Sequence, residues 1–417
     1  MSLIPEVQIL EREQYFTQHL IPILDEDPNS QLGLSSVRIR TKVIGLTASN
    51  ITVAKVGFLF GWWDVHPLPK STPAPFNDSS RYGRTSAWGY AEVLESTAPF
   101  VEKGDYLWGY QPIGTLAQDL EVRDAGIPDH VIVTSAHRQH IAPFYNRYIK
   151  FSSGIKSAVI SKSSSIGYDA CIRVMYETSY LLAHFVFAAV PGHQVHPGPD
   201  MTTPWTADMA DLTAATVVNF APGSKAGLSL AHILKYSRTA ARPRRLVAAP
   251  TSSSYSFVEA TGIYDYTKST DESALEALTA IGAASREKIV LVDFGGRGGV
   301  AQSWATKLRA GGKDVLLLSL GNEIAEMTPQ EFSKSLTSSS AVQAVRVSVS
   351  SIRDRAIALQ GEERYFGELN TSWRSFRAHG VRGLDVTWGS GMEAVRQGWE
   401  QLTKGELKAG ECLAYLI

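Results

Sequence analysis

The sequence predicts an α/β protein in two parts, a β-rich first part and a doubly wound parallel sheet behind it. Three observations carry that expectation: period-two alternation broken by close turns before residue 150, a series of unbroken apolar runs after residue 215, and a small-residue turn closing the first of those runs.

In the first part, Val37, Ile39, Thr41 and Val43 alternate with Arg38, Arg40 and Lys42, the pattern of a half-exposed antiparallel strand. Turn signals recur at Gly57, Gly61, Pro67, Pro69, Gly83, Gly89, Gly104 and Gly109. This is the punctuation of a barrel-like β domain.

In the second part, the run 216–220 ends in Ala221, Pro222, Gly223, Ser224, Lys225, Ala226 and Gly227, then opens an amphipathic segment. A pyrophosphate needs backbone N–H groups at a helix start with no Cβ in the way. Gly223 and Gly227 meet part of that need, Ser224 adds a hydroxyl and Lys225 a cation. The G-x-G-x-x-G fingerprint is absent, so the turn alone reads equally as an ordinary strand-to-helix connection. Context favours the phosphate reading. A second run, 245–249, is followed by Pro250 and the hydroxyl cluster Thr251, Ser252, Ser253 and Ser254. An NAD-specific site carries an acid there for the ribose; a hydroxyl cluster suits a 2'-phosphate and so NADP(H), or else is a plain serine-rich loop.

Further apolar runs at 263–266, 289–293 and 315–320 lack alternation, as parallel strands covered on both faces require. Helical patterns fill the gaps, with Leu228, Ala231 and Leu234 after the first run and Ala274, Leu275 and Leu278 before the fourth. The fourth run ends in Phe294, Gly295, Gly296, Arg297, Gly298 and Gly299, on the carboxyl edge where open α/β sheets bind ligands. Phe294 and Gly295 therefore join the candidate cofactor contacts.

Composition narrows the function classes. The chain of 417 residues has room for two or three domains, and its 44% hydrophobic and 19% charged content is ordinary for a globular protein. Forty basic and 41 acidic residues give a net charge of -1, which offers no electrostatic footprint for nucleic acid or an anionic membrane. The arginines of 238–245 read as a solvated connection. No signal-like segment and no run of 18 apolar residues is found, and 181–190 reads as a buried helix; the expectation is a cytosolic protein. Cys171 and Cys412 are too few for a disulfide framework and read as buried small hydrophobes.

Several segments resemble a known family. Residues 46–52 (LTASNIT), 88–93 (WGYAEV) and 101–110 (VEKGDYLWGY) resemble the GroES-like half of medium-chain dehydrogenases/reductases of the quinone-reductase type. More narrowly, with 144–148 (FYNRY), 176–182 (YETSYLL) and the tail from Ser372 and Trp373 to Gly410 and Glu411, they resemble a fungal and bacterial branch designated domain of unknown function 2855. The resemblance implies a GroES-like domain over 1–150 to which 360–417 returns, a Rossmann domain over 151–359, and a cofactor cleft between them. It also implies that dimerisation through an edge strand is common, with 345–349 the candidate edge. The chain departs from the branch at His184, where an acid is usual, and at 320–323, where a Gly-x-Thr-His-like turn is expected.

Zinc fails on residue types. Two cysteines cannot supply a structural site, the Gly-His-Glu signature is missing, and His193 with His196, like His137 with His140, reads as a surface pair. A zinc-free site must hold a developing enolate or alkoxide by hydrogen bonds and supply a proton from a nearby donor. By the resemblance, Asn50 sits in the turn facing the cleft; as a residue it reads equally as a helix cap. Tyr145, Tyr148 and Tyr180 are candidate donors, and Thr178 and Ser179 candidate contacts on the nicotinamide side. Trp62, Trp63, Trp88, Trp108 and Tyr110 suit either a pocket for a flat substrate or the core of a small β domain. No Gly-x-Ser-x-Gly occurs, which leaves a nucleophile-elbow hydrolase without support.

The leading expectation is a zinc-independent NADP(H) oxidoreductase that reduces a carbonyl or conjugated C=C of a small aromatic or polyketide-like molecule. The alternatives are a non-redox cyclase, lyase or isomerase on the same scaffold, and a binding protein without catalysis.

Overall fold

A computed structural model describes residues 4–24, 31–190, 192–202, 204–283, 286–320 and 344–417. These form two compact units, 4–171 with 385–417 and 172–320 with 344–384.

The first unit opens with β1 (Glu6–Glu11) and β2 (Gln18–Pro22), an antiparallel pair that β4 (Tyr82–Gly83) extends. The barrel is built from β3 (Ser36–Leu46), β5 (Ser86–Ser96), β6 (Tyr106–Pro112), β7 (Gln118–Asp124), β8 (His130–Val133) and β9 (Arg147–Phe151). The strands run in the order β3, β5, β6, β9, β8, β7, and β7 pairs back onto the first half of β3 to close the ring. The alternation along β3 sends Val37 and Ile39 into a core with Val93, Leu107, Leu120, Val131 and Tyr148. Its polar face is less open than the alternation predicts. Arg38 is buried because β7 lies alongside, and its guanidinium donates to both Asp119 carboxylate oxygens at 2.7 and 2.8 Å.

The second unit is a parallel sheet of β10 (Thr216–Phe220), β11 (Arg245–Ala249), β12 (Tyr266–Thr267), β13 (Ile289–Asp293), β14 (Val315–Ser319) and β15 (Ala344–Arg346). Their spatial order is β12, β11, β10, β13, β14, β15. Numbered within the sheet this is 3-2-1-4-5-6, the Rossmann order, whose switch point lies between β10 and β13. Every residue of β10 and β13 is buried, which explains runs without alternation. The third strand forms at 266–267 rather than 263–266, because Ile263 and Tyr264 are buried in the approach to it. The edge strand ends at Arg346; Val349 instead opens the helix Val349–Gln360, capped by Ser348.

The tail returns to the first unit as β16 (Asp385–Ser390) and β17 (Glu411–Leu416), parallel to each other, with β17 antiparallel to the second half of β3. The units therefore change over at 171 and 385, where the resemblance implied 150 and 360. Strand β9 is part of the barrel, and the helix Ser164–Cys171 packs on β3 and β17. The helix Glu362–His379 belongs to the second unit: its Trp373 and Phe376 rings stand 5.2 and 4.8 Å from Tyr176.

Candidate functional site

At the carboxyl end of β10, Ala221 turns through the left-handed region with φ 51, and the helix Lys225–His232 starts four residues later. Ser224 is its N-cap, the hydroxyl accepting from the Gly227 amide at 3.1 Å. A Cβ on Gly227 would stand 2.9 Å from the Ala221 carbonyl and 3.1 Å from that of Pro222, so the turn has room only for glycine. The loop is held from behind. The Tyr264 hydroxyl lies 2.9 Å from the Pro222 carbonyl and 3.1 Å from that of Gly227, and Ser179 donates to the Ala226 carbonyl at 2.7 Å. Lys225 is the first helical residue and half-buried. The arrangement is a helix N-terminus with a tightened turn, the backbone geometry that receives anions.

The neighbouring strand ends complete this edge. Beside β10, the Phe294 amide donates to the Phe220 carbonyl at 3.3 Å, and Asp293 Oδ1 accepts from the Gly295 and Gly296 amides at 2.9 and 2.7 Å. Phe294 and Gly295 thus stand at the switch point. After β11, Ser252 and Ser253 are exposed, the Thr251 and Ser253 hydroxyls lie 3.0 Å apart, and no acid occurs in 250–254. Gly223, Ser224, Lys225, Gly227, Thr251, Ser252, Ser253, Phe294 and Gly295 therefore lie on three adjacent strand ends. Thr178 is set apart from them in bonding: its hydroxyl donates to Val174 within its own helix, and its neighbour Ser179 reaches the loop.

In the first unit, most of the expected pocket residues converge. Trp88 on β5 faces Tyr110 on β6 with ring centroids 5.4 Å apart, and Tyr145 lies 4.8 Å from Tyr110 and 6.0 Å from Trp62. Trp63 does not join them. The left-handed turn at Gly61 sends it to the other side, into a core with Leu10, Tyr15 and Trp399 and under the Arg12 guanidinium. Asn50 acts as a cap: its Oδ1 accepts from the Thr47 amide at 2.7 Å and its Nδ2 donates to the Ser86 carbonyl at 2.9 Å. With both ends so used, the side chain fixes Ser86 rather than pointing at a ligand.

Tyr148 is likewise committed to the barrel. Its hydroxyl donates to the Tyr110 carbonyl at 2.6 Å and accepts from Arg138 at 3.0 Å. Sequence reasoning missed Arg138, which is 0% exposed and also donates to Asn146 Oδ1 and to the Tyr110 and Tyr145 carbonyls. It also missed His66, Thr85 and Ser86. Thr85 Oγ1 is buried without a hydrogen-bond partner, while Ser86 Oγ and the Tyr110 hydroxyl lie near each other and His66 near the Tyr110 backbone, in contacts short of good hydrogen-bond geometry. Such a group of under-satisfied polar atoms has capacity for a further partner. Burial pushes the Tyr110, Tyr145 and Tyr148 hydroxyls up, so all three keep their protons near neutrality. Burial first, then Arg138 and Arg84, hold His66 well below the ordinary imidazole value, so it is neutral.

Tyr180 lies in the second unit, in a cleft of about 520 Å³ with His184, Tyr236, Glu368 and Ser372. Burial, then Arg238, lowers His184 to about 4. The departure expected at 320–323 falls, from Gly321 on, outside the described residues. Among the described residues no three His, Cys, Asp or Glu side chains are grouped to hold a metal ion, and no helix is long and apolar enough to cross a membrane.

Solved structures share the whole architecture. An enoyl thioester reductase from Candida tropicalis, in a mutant form, aligns over 100% of both chains with a TM-score of 0.55 at 13% identity. CurA from Vibrio vulnificus in complex with NADPH aligns over 99% of this chain and 98% of its own, with a TM-score of 0.54 at 9% identity. The CurF ER cyclopropanase of the curacin A biosynthetic pathway covers 99% of each chain with a TM-score of 0.53 at 11% identity. These likenesses give the fold as that of the medium-chain dehydrogenases/reductases, GroES-like plus Rossmann. No curated protein matches the sequence. Residues 44–408 match the family model described as a protein of unknown function (DUF2855), and the chain belongs to that family.

Proposed function

We propose that the protein is a zinc-independent NADP(H)-dependent reductase acting on a carbonyl or conjugated C=C of a small, flat aromatic or polyketide-like molecule. The observation that carries this reading is the acid-free hydroxyl cluster after β11, beside a glycine-tightened helix start at the switch point of a Rossmann sheet. Ser224, Lys225 and the amides of the first helical turn would hold the diphosphate, and Thr251, Ser252 and Ser253 the 2'-phosphate. The NADPH complex of CurA lends support from a protein of the same fold. When bound, NADPH supplies the hydride. The protein's own part is to seat the substrate: Trp62, Trp88 and Tyr145 offer flat apolar faces, and the protonated Tyr110 with Ser86 and Thr85 offers hydroxyls to a substrate oxygen.

One observation favours the non-redox alternative. Ala221 holds a left-handed φ of 51 at the turn, a conformation that strains any side chain and would suit glycine. Calorimetric titration with NADPH and NADH decides between the readings. NADPH is expected to bind at least about tenfold more tightly than NADH, Lys225→Ala to weaken it about tenfold, and Ser252→Asp to penalise NADPH well beyond NADH. Absence of binding by either nucleotide would sink the reductase reading.

A further inference from the structure

We propose that the buried polar cluster of the first unit takes a stable anionic oxygen, a carboxylate or phenolate carried on a planar conjugated ring. This deepens the substrate reading of that cluster but does not depend on a nucleotide being bound.

Four observations support it. First, the Ser86 and Tyr110 side chains are arranged on one face, with Trp88 between them. Ser86 and Trp88 are two residues apart on β5 and so share a face, and Trp88 pairs directly with Tyr110 on β6. Thr85 immediately precedes β5, and the Asn50 amide fixes the Ser86 carbonyl. Second, these groups can donate. Ser86, Thr85 and Tyr110 each carry an O–H and neutral His66 one N–H, and although each can also accept, a hydroxyl is free to turn its proton toward an oxyanion.

Third, the surroundings are cationic. Arg138 is buried, and every hydrogen bond it makes goes to a neutral acceptor: an amide oxygen, two carbonyls and a phenol. Among the described residues its charge is not cancelled by any carboxylate partner, and the cations acting on His66 are Arg138 and Arg84. A buried cation without a counter-charge is costly, and an anionic ligand offsets that cost. Fourth, a row of aromatic rings runs from the surface to this cluster. Phe60 is 55% exposed and stands 4.8 Å from Trp62, Trp62 stands 6.0 Å from Tyr145, and Tyr145 stands 4.8 Å from Tyr110. Such a row fits a flat ring system whose oxygen end points inward.

The test uses the full-length protein without nucleotide and three probes of one shape: 2-naphthoate, 2-naphthamide and 2-naphthylmethylammonium, followed by calorimetry. The naphthoate should bind at least about tenfold more tightly than the amide, and the ammonium least. Ser86→Ala and Tyr110→Phe should each lower naphthoate affinity several-fold, with thermal melting and NADPH titration unchanged. Should Tyr110→Phe misfold, Ser86→Ala alone carries the variant arm. Equal affinity for naphthoate and naphthamide, preference for the ammonium, no binding of any probe, or indifference of naphthoate to Ser86→Ala would each overturn the proposal. Naphthoate binding by a protein that takes up neither NADPH nor NADH would leave this inference standing while removing the reductase reading.

Discussion

The two units carry their candidate sites in different materials. In the parallel sheet the site is backbone: a helix start after β10 and the ends of β11 and β13, set side by side by strand pairing. In the barrel it is side chains drawn from distant segments, with Ser86, Trp88 and Tyr110 brought together by the pairing of β5 with β6, and with Arg138 anchoring Tyr145 and Tyr148. A backbone site tolerates most side-chain changes so long as the turn keeps its shape. A convergent side-chain site depends on the groups that hold it.

The sharpest way to break that contrast is at Arg138. Replacing it by methionine keeps the volume but strips donors from Asn146, Tyr148 and the Tyr110 and Tyr145 carbonyls at once. We expect a loss of about 3–5 kcal/mol in urea unfolding, the range for breaking a buried charged network. A loss below about 1 kcal/mol would mean that the barrel cluster is held by its aromatic packing alone.

That dependence also explains what the sequence could and could not reveal. The β10 and β13 strands were legible because a parallel strand covered on both faces is apolar at most positions without alternation, and the loop after β10 because its residues are contiguous. Candidates in the barrel were legible only as residue types. Trp62 and Trp63 are adjacent and chemically alike, yet the turn at Gly61 sends one to Tyr145 and the other under Arg12. Arg138 and His66 gave no signal, since nothing local distinguishes a buried arginine from a surface one. Tyr264 was read as part of a strand, whereas its hydroxyl braces the turn after β10.

A second prediction bears on the other unit. His232, on the helix that follows β10, is 2% exposed, has neither ring nitrogen hydrogen-bonded, and stands 4.8 Å from both the Phe376 and His379 rings. Burial, then His379, lowers it to about 4. Because the folded value lies below the unfolded one of about 6.5, the unfolded chain takes up the proton first. Stability is therefore full above about pH 6.5 and falls toward pH 4, by about 3 kcal/mol from this group alone. His184, lowered in the same way, adds a loss of the same sign. Urea unfolding at pH 7 and pH 4 should show that His232→Phe loses much less stability on acidification than the unaltered protein. An unchanged difference would show that acid acts elsewhere.

The smallest effect concerns Asn50, the residue whose sequence reading was divided between ligand contact and helix cap. Its hydrogen bonds to the Thr47 amide and the Ser86 carbonyl assign it to the cap and to the positioning of β5. Asn50→Ala should then cost about 1 kcal/mol, the usual value of a lost cap. Asn50→Asp keeps the acceptor for Thr47 but sets a carboxylate oxygen against the Ser86 carbonyl, so it should be no more stable than Asn50→Ala. In Asn50→Ala naphthoate and NADPH affinities should stay within about twofold, because a residue that fixes backbone one step from the ligand changes binding less than one that touches it. The opposite split, with melting unchanged and naphthoate affinity lost by tenfold or more, would return Asn50 to the ligand-facing wall. It would then make the barrel site partly legible from a single contiguous turn, as the loop after β10 is.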